Sequence, residues 1–145
     1  MCPIPKTNPQ TITVDEEWII RVLGEVTGSV YEDNKAGSFL HGGLLVEMFV
    51  DDMGFGVWWA RKGSEVFGGG TFQQEGMEVF AGNQAIKAEY QRGGLYGKVW
   101  DFFREYWPMA AFYGDGQQTL GAQKFWQKRG ASLDGGLYRL EPLED

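Results

Sequence analysis

Apolar residues recur at helical spacing in three parts of the chain. The first run follows Asp15, which can cap a helix, and stops at Gly28. The second covers residues 99–106 and stops before Pro108, because proline cannot continue a helix. The third covers residues 119–129. The spacing therefore predicts three helices.

The middle of the chain carries short runs that favour β-strands. Residues 44–50, 55–60 and 65–72 are separated by turn-like segments at 51–54 and 61–64, which is the pattern of an antiparallel meander. Further strands are predicted at 11–14, 77–88, 109–113 and 137–140. Strands come first and mixed β-α-β elements later, so the order predicts an α+β or α/β fold around a mixed sheet.

Two segments rich in glycine interrupt these elements. Residues 28–43 mix Gly, Ser, Asp and Asn without periodicity, which predicts a loop. Gly68, Gly69 and Gly70 lie inside a predicted strand. There they indicate a bulge or bend, in preference to a backbone that a ligand approaches closely.

Composition and charge narrow the class of protein. With 145 residues, 43% of them hydrophobic, the chain is expected to form one domain with a packed core. We expect an extended arm over residues 1–10, where Pro3, Pro5 and Pro9 lie, and a single domain over 11–145. A net charge of −7 disfavours general nucleic-acid binding.

The sequence also bears on location and metal chemistry. No run of roughly 18 apolar residues occurs, and the first six residues lack the apolar core of a secretory signal. We therefore expect a cytoplasmic protein with no membrane partner, although a virion interior would give the same composition. Cys2 is the one cysteine and His41 the one histidine, so neither a disulfide within the chain nor a clustered Cys/His metal site is expected. A nucleophilic Cys2–His41 pair is disfavoured because Cys2 lies at a terminus.

The most informative segment joins the predicted strand at 77–88 to the second helix. It reads Gln91, Arg92, Gly93, Gly94, Leu95, Tyr96, Gly97 and Lys98. Glycines ahead of a helix let successive backbone N–H groups point at a ligand, and the helix N-terminus adds about half a positive charge. This combination suits a phosphate group, although tight packing explains the three glycines equally well. The dinucleotide fingerprint and the Walker loop are both absent from the sequence.

In this order of strand, glycine turn and helix, the chain resembles the GNAT superfamily of N-acetyltransferases. In that family a Gln/Arg-x-x-Gly-x-Gly/Ala turn binds the pyrophosphate of acetyl-CoA, and residues 91–96 are similar to it except at Tyr96, with Gly97 one position later. A second family signature, Asn-x-x-Ala-x-x-Phe-Tyr-x-x-x-Gly-Phe, is similar to residues 119–131. The matching positions are Ala122, Phe125 and Gly130. The resemblance implies a mostly antiparallel central sheet flanked by helices.

The resemblance also implies a set of site residues. The expected acetyl-CoA contacts are Ala88, Gln91, Arg92, Gly93, Gly94, Leu95, Tyr96, Gly97 and Lys98. A backbone N–H from Ala88 or a neighbour would hold the oxyanion formed when a neutral amine attacks the thioester. The amine must lose a proton, and Glu78, Glu47 and His41 are the candidate bases. For the two glutamates, a solvent-facing position on an alternating strand is the commoner alternative, and His41 in a glycine-flanked loop is often simply exposed.

Four positions depart from the family pattern. Thr119 replaces Asn, Ala131 replaces Phe, and Trp126 replaces a frequent catalytic Tyr. An indole cannot donate a proton to the departing sulfur, but such general-acid help is worth only about 10²–10⁴-fold, so its loss does not exclude catalysis. Tyr96 is expected to obstruct the approach of a pyrophosphate to the turn.

Three functions are compatible with these observations. The first is an acyl-CoA-dependent N-acyltransferase acting on an amine. The second is a catalytically degenerate GNAT-like protein, such as a phage virion component, that binds a protein partner through surplus aromatics, because Trp58-Trp59 and Tyr106-Trp107 cannot all point inward. The third, an acidic DNA mimic, rests on charge alone, and the acidic residues are scattered. We rank the acyltransferase first and leave a homo-oligomer open.

Overall fold

A computed structural model describes residues 10–114 and 117–144. The helices are α1 (Glu16–Thr27), α2 (Leu95–Tyr106) and α3 (Leu120–Lys128). The strands are β1 (Gln10–Ile12), β2 (Lys35–His41), β3 (Leu44–Val50), β4 (Phe55–Lys62), β5 (Glu65–Glu75), β6 (Glu78–Ile86), β7 (Ala111–Tyr113), β8 (Gln117–Thr119), β9 (Ser132–Asp134) and β10 (Leu137–Leu140). Short 3-10 helices cover Glu32–Asn34 and Ala88–Tyr90.

Eight strands form one mixed sheet in the order β2-β3-β4-β5-β6-β7-β10-β9. The pair β6–β7 is parallel, and every other pair in this sheet is antiparallel. The crossover from β6 to β7 contains α2, as a parallel connection requires. The strands β1 and β8 form a separate parallel pair. The predicted α+β class, with a mostly antiparallel central sheet flanked by helices, is confirmed.

Helix α1 covers one face of the sheet. Asp15 caps it by accepting a hydrogen bond from the Trp18 N–H at 2.9 Å, as the sequence predicted. The helix lies directly on the glycine run of β5, where a Cβ added to Gly69 would be 2.7 Å from Val26 Cγ1. The pairing of β5 with β6 shifts register just beyond, between Gly70 and Phe72, so the predicted irregularity is present. The close approach at Gly69 is made by α1.

Helices α2 and α3 cover the opposite face through an aromatic core. Trp100 of α2 packs edge-on against Phe72 of β5 and against Trp126 of α3, with centroid distances of 4.9 and 4.7 Å. All three rings are buried. Trp126 is therefore a core residue in the position where the resemblance places a catalytic tyrosine.

Of the four aromatics expected not to fit inside together, one is exposed and one is half-buried. Trp58 is buried under α2, while Trp59 points to the α1 face and is half-buried. Trp107 is also buried, and Tyr106 is the one member of the two pairs that is exposed. Trp58 and Trp59 are both covered because helices lie on both sides of the sheet, whereas Tyr106 at the end of α2 stays at the surface.

The segment predicted as a loop contains an edge strand. Residues 35–41 form β2, which pairs with β3 through a hairpin turn at Gly42 and Gly43. Most of β2 is exposed or half-buried, so the apolar alternation that marks a strand in a sequence is weak there. The strand predicted over 77–88 ends at Ile86, and the pairing of 117–119 with β1 was not predicted.

The described residues begin within the predicted arm. Residues 1–9, with Cys2, lie outside them, so the arm, the single domain over 11–145 and the Cys2 argument stay predictions. Within the part of the chain that the structure describes, no helix is long and apolar enough to cross a membrane.

The approach of α1 to β5 predicts a large penalty for a single methyl group. Gly69→Ala would place Cβ 2.7 Å from Val26 Cγ1 and 3.0 Å from the Trp58 carbonyl oxygen. We expect it to lower the free energy of unfolding by about 1–3 kcal/mol, measured by urea denaturation. The matched control is Gly24→Ala, an exposed position in α1 where an added Cβ meets no atom within 4 Å. It should stabilise the protein by about 0.5–1 kcal/mol, and equal losses from both changes would contradict the packing argument.

Candidate functional site

The strands β6 and β7 pair over only three residues and then separate. Their parallel ladder runs from Glu78 with Ala111 to Phe80 with Tyr113. Beyond Phe80, β6 continues to Ile86, and in the described ranges no β-strand pairs with its β7 side there. The end of β6 therefore borders an opening in the sheet.

The backbone of Ile86 faces this opening. The next residue, Lys87, donates its N–H to the Phe67 carbonyl at 2.8 Å on the β5 side. Because backbone groups alternate along a strand, the N–H and C=O of Ile86 point to the other side. The Gln91 side chain donates from Nε2 to the Ile86 carbonyl at 2.8 Å, which agrees with that direction. The Ile86 N–H is thus a donor directed into the opening.

Ala88, which with its neighbours is the expected source of the oxyanion donor, is not part of β6. Ala88 lies beyond the end of β6, at the start of a 3-10 helix, and its carbonyl accepts the Gln91 N–H at 3.2 Å. Ile86, two residues earlier, is the last residue of β6 whose backbone N–H points away from β5 and into the opening. The sequence does not show where a strand ends when β-prone residues continue into a helical turn.

The glycine turn is exposed and leads straight into α2. Gly94 is the N-cap residue at φ 82°, a left-handed conformation that favours glycine, and no side chain caps the helix. The first helical bond runs from the Lys98 N–H to the Gly94 carbonyl, so the N–H groups of Leu95, Tyr96 and Gly97 precede it. A Cβ added at Gly94 would meet no atom within 4 Å. The turn therefore presents backbone donors beside open space.

Of the three candidate bases, His41 lies beside the turn. It is the last residue of β2 and is half-buried. Its Nε2 atom lies 3.6 Å from the position of a Cβ added at Gly93. However, β2 and β6 are four strand spacings apart in the sheet, which is roughly 19 Å. The structure thus brings His41 to the turn from a strand that is not adjacent to β6.

Glu78 lies far from the turn. It is the exposed first residue of β6, and eight residue steps separate it from Ile86, roughly 26 Å along the strand. The expectation of a solvent-facing Glu78 is confirmed. Its proposed role as a base at the opening has no support in this placement.

Glu47 is buried, contrary to the expectation that it faces solvent. Its carboxylate accepts hydrogen bonds from Lys35 Nζ at 2.6 Å, Arg61 Nε at 2.7 Å and Trp59 Nε1 at 2.9 Å. Burial by itself would raise the pKa of Glu47, but the bonds from Lys35, Arg61 and Trp59 and the charge of Arg61 outweigh it and lower the pKa from 4.5 to about 2. Such a carboxylate is a fixed charge joining β2, β3 and β4, and it is a poor proton acceptor.

The side chain of Tyr96 does not lie over the glycine turn. Its ring packs against Phe125 of α3 at 4.6 Å and edge-on against Trp100 at 5.7 Å. Burial raises the pKa of the phenol above its usual range, while Trp100 and Arg129 act in the opposite direction. The expected obstruction is absent because the side chain turns toward the space between α2 and α3.

Gly97 leaves space for the side chain of Arg129, a cation near the turn that the sequence did not indicate. A Cβ there would collide with Arg129 Nη2. The guanidinium lies 4.5 Å from the Phe125 ring centroid, and Nη1 contacts Asp101 Oδ1 at 3.3 Å. Arg129 follows α3 in the chain, so its position at the first turn of α2 depends on how the two helices pack. The sequence carries no local signal for it.

The remaining turn residues divide between solvent and core. Arg92 and Gly93 are exposed and the Leu95 side chain is buried. Arg92 has a positive φ of 69°, which is uncommon for a residue with a side chain. Lys98 lines a groove of about 310 Å³ between α2 and β2, beside Phe39 and Leu40.

Among the described residues, no group of three or more His, Cys, Asp or Glu is placed to hold a metal ion.

Comparisons with known proteins find distant similarity to solved structures. No protein-family model matches the chain, and no curated protein matches it. Among solved structures, the chain is similar to a protein from Bacteroides thetaiotaomicron assigned to the GNAT family of acetyltransferases. The sequence identity is 10% and the TM-score 0.43, over 90% of this chain and 83% of that one.

The hydrogen bonds that Lys35, Arg61 and Trp59 donate to Glu47 predict a loss of stability in acid. The unfolded chain binds a proton near the ordinary pKa of 4.5, whereas the folded carboxylate resists it until about 2, so the stabilisation is lost as the pH falls between these values. We expect Glu47→Gln to lower the free energy of unfolding at neutral pH by about 2–4 kcal/mol. The difference in free energy of unfolding between Glu47→Gln and the parent protein, measured by urea denaturation, should shrink as the pH falls from 4.5 to about 2.

Glu78→Gln is the matched control, because Glu78 is exposed. It should change the free energy of unfolding by less than about 0.5 kcal/mol at any pH. A Glu47→Gln penalty that stayed constant down to pH 2 would show that the carboxylate charge is not its source.

Proposed function

We propose that the protein is an acyl-CoA-dependent N-acyltransferase that transfers an acetyl group from acetyl-CoA to an amine. One observation carries the proposal: an exposed, uncapped glycine turn follows a strand whose edge borders an opening in the sheet. The turn supplies donors for an anion, and the strand supplies a donor for a developing oxyanion. The pantetheine arm of CoA separates its pyrophosphate from its thioester, so the two donor groups need not be adjacent.

The pyrophosphate would be held at the start of α2. The N–H groups of Leu95, Tyr96 and Gly97 precede the first helical bond, and the helix dipole favours an anion there. The Arg129 guanidinium at Gly97 adds positive charge to this end of the helix. Gln91 contributes by fixing the turn to the end of β6 through its bond to Ile86.

Acetyl-CoA supplies an activated carbonyl carbon when bound. As the amine nitrogen forms its bond to this carbon and the carbon–sulfur bond breaks, the electron pair leaves with sulfur and the amine proton passes to water. The Ile86 N–H would stabilise the negative charge on the carbonyl oxygen. Because Trp126 is a core residue, sulfur would leave as the thiolate, which its pKa of about 8.5 permits.

His41 fits better as a phosphate contact than as the base. Its Nε2 lies at Gly93, beside the proposed pyrophosphate site, and its strand is not adjacent to β6. An imidazole can donate a hydrogen bond to a phosphate oxygen.

Acetyl-CoA binding tests the proposal directly. Isothermal titration calorimetry should detect saturable binding, and Gly94→Glu should weaken it at least about a hundredfold, because the added carboxylate enters the anion site. Gly76→Glu is the matched control: Gly76 also has a positive φ, 61°, and open space around it, but it lies in the β5–β6 turn at the opposite end of β6. It should bind acetyl-CoA like the parent.

Absence of binding by the parent protein at millimolar acetyl-CoA would overturn the proposal. Equal losses from both glutamate variants would instead point to a general effect of strain or charge and would equally contradict the assigned site.

The placement of His41 predicts a dependence on the nucleotide end of the substrate. We expect His41→Gln to lower kcat/KM for acetyl-CoA about fivefold to tenfold, the loss of one charge-assisted hydrogen bond. With acetyl-pantetheine, which lacks the pyrophosphate, kcat/KM should not change. An equal loss with both substrates would place His41 at the thioester, in the role of a base.

A further inference from the structure

A second opening lies at the other end of the sheet, on the face that α1 covers. Its volume is about 150 Å³, and it lies between the C-terminal end of α1 and the turn that joins β3 to β4. Its wall includes Gly28, Tyr31, Phe49, Asp51 and Phe55. Because Leu44 pairs with His41 at one end of β3 and Asp51 follows its other end, the cavity is roughly 20 Å from the glycine turn. It is therefore separate from the acyl-CoA site.

The cavity carries negative charge at a fixed position. Asp51 Oδ1 accepts hydrogen bonds from the N–H groups of Met53 at 2.8 Å and Phe55 at 2.9 Å, so the carboxylate cannot swing freely into solvent. Gly28 is the C-cap of α1, where the helix dipole places partial negative charge, and the last turn of α1 holds no basic residue to offset it. Both features favour a cation.

Aromatic rings complete the wall. Phe49 is buried and held edge-on against Trp59 at a centroid distance of 6.0 Å, and Phe55 is half-buried. Tyr31 is 65% exposed and belongs to the cavity wall. Rings around a cavity with one carboxylate are the arrangement that recognises alkylated ammonium ions.

We propose that this cavity binds a small organic ammonium ion, methylated or quaternary. Tyr31, Phe49 and Phe55 surround its methyl groups, and the Asp51 carboxylate balances its charge. The volume suits a headgroup the size of choline and is too small for a nucleotide or a peptide, which fill cavities of about 300 Å³ or more.

The test compares a charged ligand with an uncharged ligand of the same shape. Choline is titrated against dimethylbutanol, its uncharged isostere in which carbon replaces nitrogen, with binding followed by calorimetry and by shifts of the aromatic proton signals. We expect choline to bind saturably at millimolar concentration and the isostere to bind at least about tenfold more weakly. Equal binding of the two, or no binding of choline at tens of millimolar, overturns the proposal.

Three variants locate the site. Asp51→Asn keeps the oxygen that accepts the turn N–H groups and removes the charge, and it should weaken choline about tenfold. Tyr31→Leu removes an exposed ring without disturbing the core and should weaken choline about threefold to fivefold. Asp52→Asn is the matched control, because this exposed neighbour is absent from the cavity wall. An equal effect of the two asparagine variants would mean that only the long-range charge matters and would overturn the assigned site.

Discussion

The contact of Trp100 with its neighbours determines where the candidate site lies. This one ring joins β5 through Phe72, β7 through Phe112 and α3 through Trp126. Because Trp100 stands two turns or less from the start of α2, its position fixes the helix N-terminus and the glycine turn above the sheet. The same packing brings Arg129 of the following segment to Gly97. A binding site made of backbone N–H groups needs such a support, because it has few side chains of its own to hold it in place.

A second constraint is the close fit of α1 on β5. A helix can approach a sheet backbone only where side chains are missing, and the glycine run of β5 supplies that space. As a result both faces of the sheet are covered over β4 and β5, which is why Trp58 and Trp59 find partners on opposite sides. Helix α1 does not cover the sheet beyond its C-terminal end. The cavity next to Phe49 and Asp51 lies at that end of the helix.

Much of the fold could be predicted because its strongest signals are local. The helices showed 3.6-residue periodicity, Asp15 and Gly28 marked the ends of α1, and the meander strands were separated by turn residues. The edge strand β2 was missed because its half-buried face carries Gly37 and His41 beside Phe39 while Leu40 lies on the exposed face, so apolar residues do not alternate in its sequence. The glycine turn lies at the start of α2, as the sequence predicted, and the structure leaves that turn open.

The site was harder to predict because it depends on contacts between distant residues. Glu47 looked like an exposed strand residue until Lys35 and Arg61 were placed on either side of it. Tyr96 looked like an obstruction because its contact with Phe125 lies 29 positions away in sequence. Arg129 and the orientation of Ile86 are likewise results of packing and register, which a single sequence does not specify.

The edge position of β2 has a consequence for how copies of the protein behave in solution. Within the described part of the chain its outer backbone has no strand beside it, and Leu40 within this strand is 76% exposed. Such an edge can accept a strand from another molecule. Mutual repulsion between molecules of net charge −7 opposes that encounter. Added salt screens the repulsion and leaves the apolar edge unchanged, so colloidal stability should fall as ionic strength rises.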